Sequence, residues 1–203
     1  MAITQVPNSL LTQPVNHNIL INPSFTVKQR GDVVDHLGTG TTYGPDRWNL
    51  RGLGTIGGSV SQSTTVVDPV THINKLKVTN IGATADNYVY QRVEAINLLG
   101  LYGKEITVSF SYSDVGGSGI PKLRVTSFNS ADTPNFMFDA EPTSLGDNRW
   151  TCTVTLTTTD GTIPDPTLRG LQVLIYANEK NAAPNEWSVW ETKLEAGSVA
   201  TPF

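Results

Sequence analysis

The chain has one cysteine, no long apolar run and little charge, and each shortage removes a class of protein. Cys152 cannot form an internal bridge, so the fold must rest on packing. No apolar stretch approaches the ~20 residues that a membrane-spanning helix needs, so membrane insertion is not expected. Met1 is followed by Ala-Ile-Thr-Gln rather than the basic and apolar regions of a secretory leader. Only 16% of residues are charged and the formal net charge is -4, which lacks the basic footprint that phosphate neutralisation or an anionic membrane surface demands. Nucleic-acid binding is therefore not expected either. Catalytic signatures are also missing: there is no GxSxG elbow, no P-loop, no GxGxxG between a strand and a helix, and no HExxH. His17, His36 and His72 stand in unrelated segments, without the spacing that would put two on one metal.

What the chain does have is alternation. Ile106, Val108, Phe110 and Tyr112 alternate with Thr107, Ser109 and Ser111, while Trp150, Cys152, Val154 and Leu156 alternate with threonines. Leu76 and Val78, and Leu171, Val173 and Ile175, repeat the pattern, which gives each strand one buried and one wet side. Glycine-rich stretches at 52–58 and 114–119 and the Gly- and Pro-containing loop at 158–166 separate these runs. The chain of 203 residues fits one domain. It is expected to be all-β, an antiparallel β-sandwich with a single short helical turn within 94–103.

The first residues, with two prolines and scattered apolar side chains, follow neither period and read as an extended N-terminal arm. The expected division is an arm over 1–18 and a sandwich over 19–203. Ile3, Val6, Leu10 and Leu11 are the arm's anchoring candidates, because ordering it requires a partner that buries them.

Chemistry is sparse. Cys152 shares parity with Trp150 and Val154 and reads as a small buried residue. Asp46, Glu94, Glu141, Glu191 and Glu195 are the carboxylates available for a glycosidase pair, but their separations are not readable from sequence. Aromatic side chains are the better lead, since a sugar ring stacks on Trp or Tyr amid hydrogen-bonding neighbours. Trp48 and Trp190 are assigned to the core, with Trp190 sharing the parity of Leu194. Tyr88 and Tyr90 alternate with Val89 and Val93. If the valines point inward, the tyrosines form an exposed pair beside Asn87 and Arg92, and these four with Trp187 are the candidate glycan-binding residues.

The ending WETKLEAGSVATPF (190–203) resembles the C-terminal signature WE-x-x-LE-x-G-x-x-ATPF of a family of bacteriophage virion domains. NHNILINPSF (16–25) with QRG (29–31), YGPDRW (43–48), NYVYQRVE (87–94), LLGLYGKEITVSFSY (98–112) and RWTCTVTLT (149–157) resemble its other landmarks. The resemblance implies a carbohydrate-binding-module-like jelly roll on a tail fibre, head fibre or capsid decoration. It implies a virion location, a homo-oligomer with a trimer expected, another virion protein as partner, and contact with host-surface polysaccharide, without enzymatic activity. A tail adhesin or a glycan-degrading depolymerase is the alternative reading. No cofactor is expected, although related jelly rolls hold a structural calcium ion, for which Asp32, Asp35, Asp160 and Asp165 are the candidates.

Overall fold

A computed structural model describes residues 17–29, 33–37, 40–53, 60–81, 86–98, 100–115, 119–129, 134–156, 168–177 and 185–203. The described residues form thirteen strands: β1 (Val33–Leu37), β2 (Gly40–Tyr43), β3 (Trp48–Leu53), β4 (Val60–Val67), β5 (Asn74–Ile81), β6 (Asp86–Glu94), β7 (Glu105–Val115), β8 (Pro121–Asn129), β9 (Pro134–Ala140), β10 (Thr143–Gly146), β11 (Arg149–Thr155), β12 (Leu168–Ala177) and β13 (Asn185–Ala196). The expected helical turn is one 3-10 turn, Ala95–Asn97. Seven strands make one sheet in the order β1-β4-β5-β13-β7-β11-β10, and six make the other in the order β2-β3-β6-β12-β8-β9. All pairings are antiparallel, giving the expected two-layer jelly-roll sandwich. The anchoring candidates Ile3, Val6, Leu10 and Leu11 lie outside the described residues.

The alternation sets the core. Leu50, Val89, Ile175 and Leu123 stand opposite one another across four strands of the six-stranded sheet, each at most 1% exposed. They meet Ile106, Val108, Phe110, Leu76 and Val189 of the other sheet in one continuous cluster. Burying such side chains supplies the main stabilisation of a fold without cross-links. Cys152 is half-buried against this cluster, and burial pushes its thiol pKa up, so it acts as packing rather than as a nucleophile.

The entry segment joins the layers. Asn18 donates to the Thr192 carbonyl (2.7 Å) and accepts from the Leu194 amide (3.1 Å), while the Ile19 amide bonds the Leu194 carbonyl. Two residues on, the Gln91 amide group accepts from the Ile21 N–H and donates to its carbonyl, both at 2.7 Å. Trp48 Nε1 donates to the Asn22 carbonyl, and the Trp48 ring packs 5.0 Å from Phe25. The segment is thereby fastened to β13 of one sheet and to β6 of the other.

The closing strand departs from simple alternation. A bulge between Trp190 and Lys193, where Glu191 takes φ 49°, shifts its register against β7. Leu194 therefore points into the core, opposite Val108, whereas Trp190 stands opposite Ser111 on the outer side. The shared parity expected for Trp190 and Leu194 is reversed by this extra residue. Trp190 is nonetheless shielded, with the Lys75 ammonium 4.3 Å from its ring centroid. Beyond Ala196 the chain turns at Gly197 (φ 101°) and folds back. Thr201 bonds Glu195 through its amide (2.8 Å) and hydroxyl (2.6 Å), and Lys193 bonds Glu195, Thr201 and the Pro202 carbonyl. The tail is thus a cover for a buried ion pair on the outer side of the seven-stranded sheet.

Two substitutions test this frame. Gln91→Ala removes both side-chain bonds to the Ile21 backbone and should cost roughly 1–3 kcal/mol in denaturant unfolding. Gly170→Ala places a Cβ 2.1 Å from the Val93 carbonyl oxygen, a backbone atom that cannot yield. It should lower stability by roughly 3 kcal/mol or more, read as a fall in the thermal midpoint.

Candidate functional site

Because Val89 and Val93 point inward, Tyr88 and Tyr90 point outward from the six-stranded sheet, as the alternation predicts. They are not exposed, however: Tyr88 is 5% and Tyr90 4% accessible. Leu174 and Tyr176 of β12 lie directly opposite them, and the four form a second apolar cluster on the outer side of this sheet. The rings of Tyr88 and Tyr90 are 6.1 Å apart and those of Tyr88 and Tyr176 are 6.3 Å apart, in tilted arrangements. The expected exposed pair is therefore corrected to a packed aromatic floor. Trp187 is also corrected: at 1% exposure it belongs to the interior, 6.0 Å from the Tyr112 ring, and no sugar can stack on it. Arg92 lies on the outward side of β6 and is exposed. Asn87 belongs to β6, and its side chain lies outside the described part of the chain.

The register assembles a longer site than sequence spacing suggests. Tyr43 is paired with Asn49, Asn49 with Tyr90, Tyr90 with Leu174, Leu174 with Arg124, and Arg124 with Asp139. Paired residues point to the same side, so one row crosses all six strands. At a strand spacing of about 4.8 Å, its five steps span about 24 Å, long enough for several sugar residues. Tyr43 is 59% exposed at one end. It lines a groove of about 300 Å³ with Gln29, Pro45, Asp46 and Arg47. The backbone of Arg47 has φ 71° and Trp48 N bonds the Pro45 carbonyl, so the Pro-Asp-Arg turn that shapes this groove is fixed by the strand it precedes.

The other end of the row is a polar network. Arg124 donates to Asp139 Oδ2 (2.7 Å) and the Tyr176 hydroxyl donates to Asp139 Oδ1 (2.7 Å). The Arg124 guanidinium carbon lies 6.0 Å from the Tyr176 ring centroid. Partial burial alone would raise the Asp139 pKa, but the hydrogen bonds from Arg124 and Tyr176 outweigh it and hold the carboxyl below its ordinary value. The hydrogen bond to Asp139 correspondingly raises the Arg124 pKa. This ties the network into a rigid, hydrogen-bonding edge beside the aromatic floor.

The other carboxylates do not converge on it as a pair. Glu191 and Glu195 lie on the outer side of the opposite sheet, beside Arg149 (3.6 Å) and Lys193 (3.2 Å). Glu141 stands 3.9 Å from Lys122, Asp46 accepts the Gln29 amide, and Glu94 ends β6. Among the described residues no cluster of three or more His, Cys, Asp or Glu side chains could hold a metal ion. Of the calcium candidates, Asp35 lies in β1, and Asp32, Asp160 and Asp165 lie outside the described residues. Tyr43, Arg124, Asp139 and Tyr176 went unnoticed as site residues in the sequence. Tyr43 sits in the YGPDRW segment and Arg124 alternates with Leu123 and Val125, but only the register places them in one row.

Neither the protein-family models nor the curated proteins give a match to this sequence. Solved structures do match in fold. A candidate sugar-binding protein from Bacteroides thetaiotaomicron aligns with a TM-score of 0.54 at 11% identity, over 89% of this chain and 100% of its own. The enzymatically active domain of tailspike protein 4 of bacteriophage CBA120 aligns with a TM-score of 0.53 at 8% identity, over 88% of this chain. An arabinose-bound α-L-arabinofuranosidase aligns with a TM-score of 0.51 at 12% identity, again over 88%. This chain spans 21% of the tailspike chain and 26% of the arabinofuranosidase chain. At these identities the likeness is one of fold, a β-sandwich shared by proteins with different chemistry.

The Asp139 network carries a pH signature. Its pKa is depressed, so the stabilisation is complete above the ordinary value of 3.8 and is lost as pH falls through the lowered value. A carbon-13 NMR titration should place the Asp139 midpoint below 3.8, and a midpoint at or above it would contradict the network.

Proposed function

We propose that this chain is a non-enzymatic structural protein of a bacteriophage particle, of fibre, appendage or capsid-decoration type, whose jelly-roll domain contacts host-surface glycans. The observation that carries the glycan reading is the row from exposed Tyr43 to the Arg124–Asp139–Tyr176 network across the outward side of the six-stranded sheet. An exposed ring at one end and fixed polar groups at the other are what an extended sugar chain requires. Tyr43 offers a stacking surface, and the network offers preordered hydrogen bonds that a ligand does not have to organise. The buried tyrosines hold this surface rigid rather than stacking on sugar themselves.

The particle setting is supported by the virion-type landmarks of the sequence and by the shared fold of a tailspike domain. Within it the protein acts as a homotrimer, with Ile3, Val6, Leu10 and Leu11 of the arm docking into another capsid or tail protein. Binding without catalysis is supported by Asp46, Glu141, Glu191 and Glu195, which are engaged in ion pairs or hydrogen bonds.

The purified protein should bind one or more polysaccharides on an array of bacterial capsule, lipopolysaccharide and plant-cell-wall glycans. Tyr43→Ala and Arg124→Ala should each weaken that binding by about tenfold, equivalent to ~1.4 kcal/mol, with an unchanged thermal midpoint for Tyr43→Ala and a lowered one for Arg124→Ala, which removes a donor to Asp139. Silence across the array would defeat the glycan reading, and a monomer by light scattering of the full chain would defeat the trimer.

A further inference from the structure

Polar groups on the outward side of the six-stranded sheet are unevenly engaged. Both oxygens of Asp139 already accept a hydrogen bond, one from Tyr176 and one from Arg124. Arg124 Nε and Gln172 Nε2, in contrast, are buried donors with no hydrogen-bond partner among the described residues. Folded proteins leave few such groups, each costing about 1–3 kcal/mol, and two on one side of one sheet call for an acceptor.

The register brings these donors together. Gln172 lies directly between Arg92 of β6 and Thr126 of β8, and Arg124 is the next outward residue along β8 from Thr126. Diagonal neighbours of this kind stand about 7–8 Å apart, within reach of long side chains. An exposed guanidinium on β6, an amide on β12 and a guanidinium Nε on β8 therefore follow one another across three adjacent strands, beside the row.

Resting on the glycan-binding reading above, we infer that this patch selects acidic glycans, taking the carboxylate of a uronic-acid-type sugar onto Arg124 Nε, the Gln172 amide and Arg92. A sugar hydroxyl brings a proton as well as lone pairs, whereas the two unpartnered groups here are both donors. A carboxylate brings only acceptors, and hydrogen bonds from a guanidinium to it are stronger than those between neutral groups. Asp139 holds the Arg124 guanidinium through Nη2, and Nε makes no hydrogen bond among the described residues.

The test compares polygalacturonate, alginate and hyaluronate with the same polymers after carboxyl reduction, by calorimetry at physiological salt. At least one acidic polymer should bind, and its reduced form should bind at least tenfold more weakly. Gln172→Glu, which sets a like charge against the ligand, should abolish binding of the acidic polymer and spare any neutral glycan that binds. Arg92→Gln, at an exposed position that should not disturb folding, should weaken the acidic polymer at least fivefold. Equal binding of native and reduced polymers would overturn the acidic selectivity and leave glycan binding standing. Binding of neither form, with the glycan array also silent, would overturn both.

Discussion

The structure depends on the double hydrogen bond between Gln91 and the backbone of Ile21. Two β-sheets stacked face to face attract each other through apolar contact alone, which has no direction. A segment that crosses between them is placed by directional bonds, and Gln91 supplies two of these to the half-exposed Ile21. Gln91, 1% exposed among Trp48, Val173 and Val125, makes both bonds at once. Asn18 does the same for β13. With the crossing fixed, Trp48 and Phe25 close the end of the core, and the Pro-Asp-Arg turn before Trp48 is set at the margin of the outward row.

Much of this was legible in the chain itself, because period-2 alternation is a direct image of a two-sided strand. The inward sets of β7 and β12 follow from their sequences, and so does the outward direction of Tyr88 and Tyr90. The degree of burial did not follow. An outward tyrosine is wet only if the opposite strand offers nothing to cover it, and Leu174 and Tyr176 of a strand some eighty residues away do cover these two. Trp187 was likewise misassigned, since a lone tryptophan in a strand gives no sign of the side it faces until its partners Val78 and Asp114 are known.

The bulge in β13 hid for a different reason. Nothing in Trp-Glu-Thr-Lys-Leu signals an extra residue, yet Glu191 in a left-handed conformation reverses the parity of all that follows. Its effect is to give one strand two jobs: Trp187 and Val189 pack in the core on one side of it, while Lys193 and Glu195 face outward and receive the folded-back tail. A strictly regular strand would have put those two charges into the apolar interior, where an ion pair rarely recovers its desolvation cost.

The outward row has a consequence for how such a protein diversifies. Its six members come one from each strand, with Tyr90 and Leu174 buried in the middle and Tyr43 and Asp139 at the two ends. A change at exposed Tyr43 leaves the packed tyrosines untouched, whereas a change at Arg124 also releases Asp139. The ends of such a row can vary while the buried middle keeps the fold.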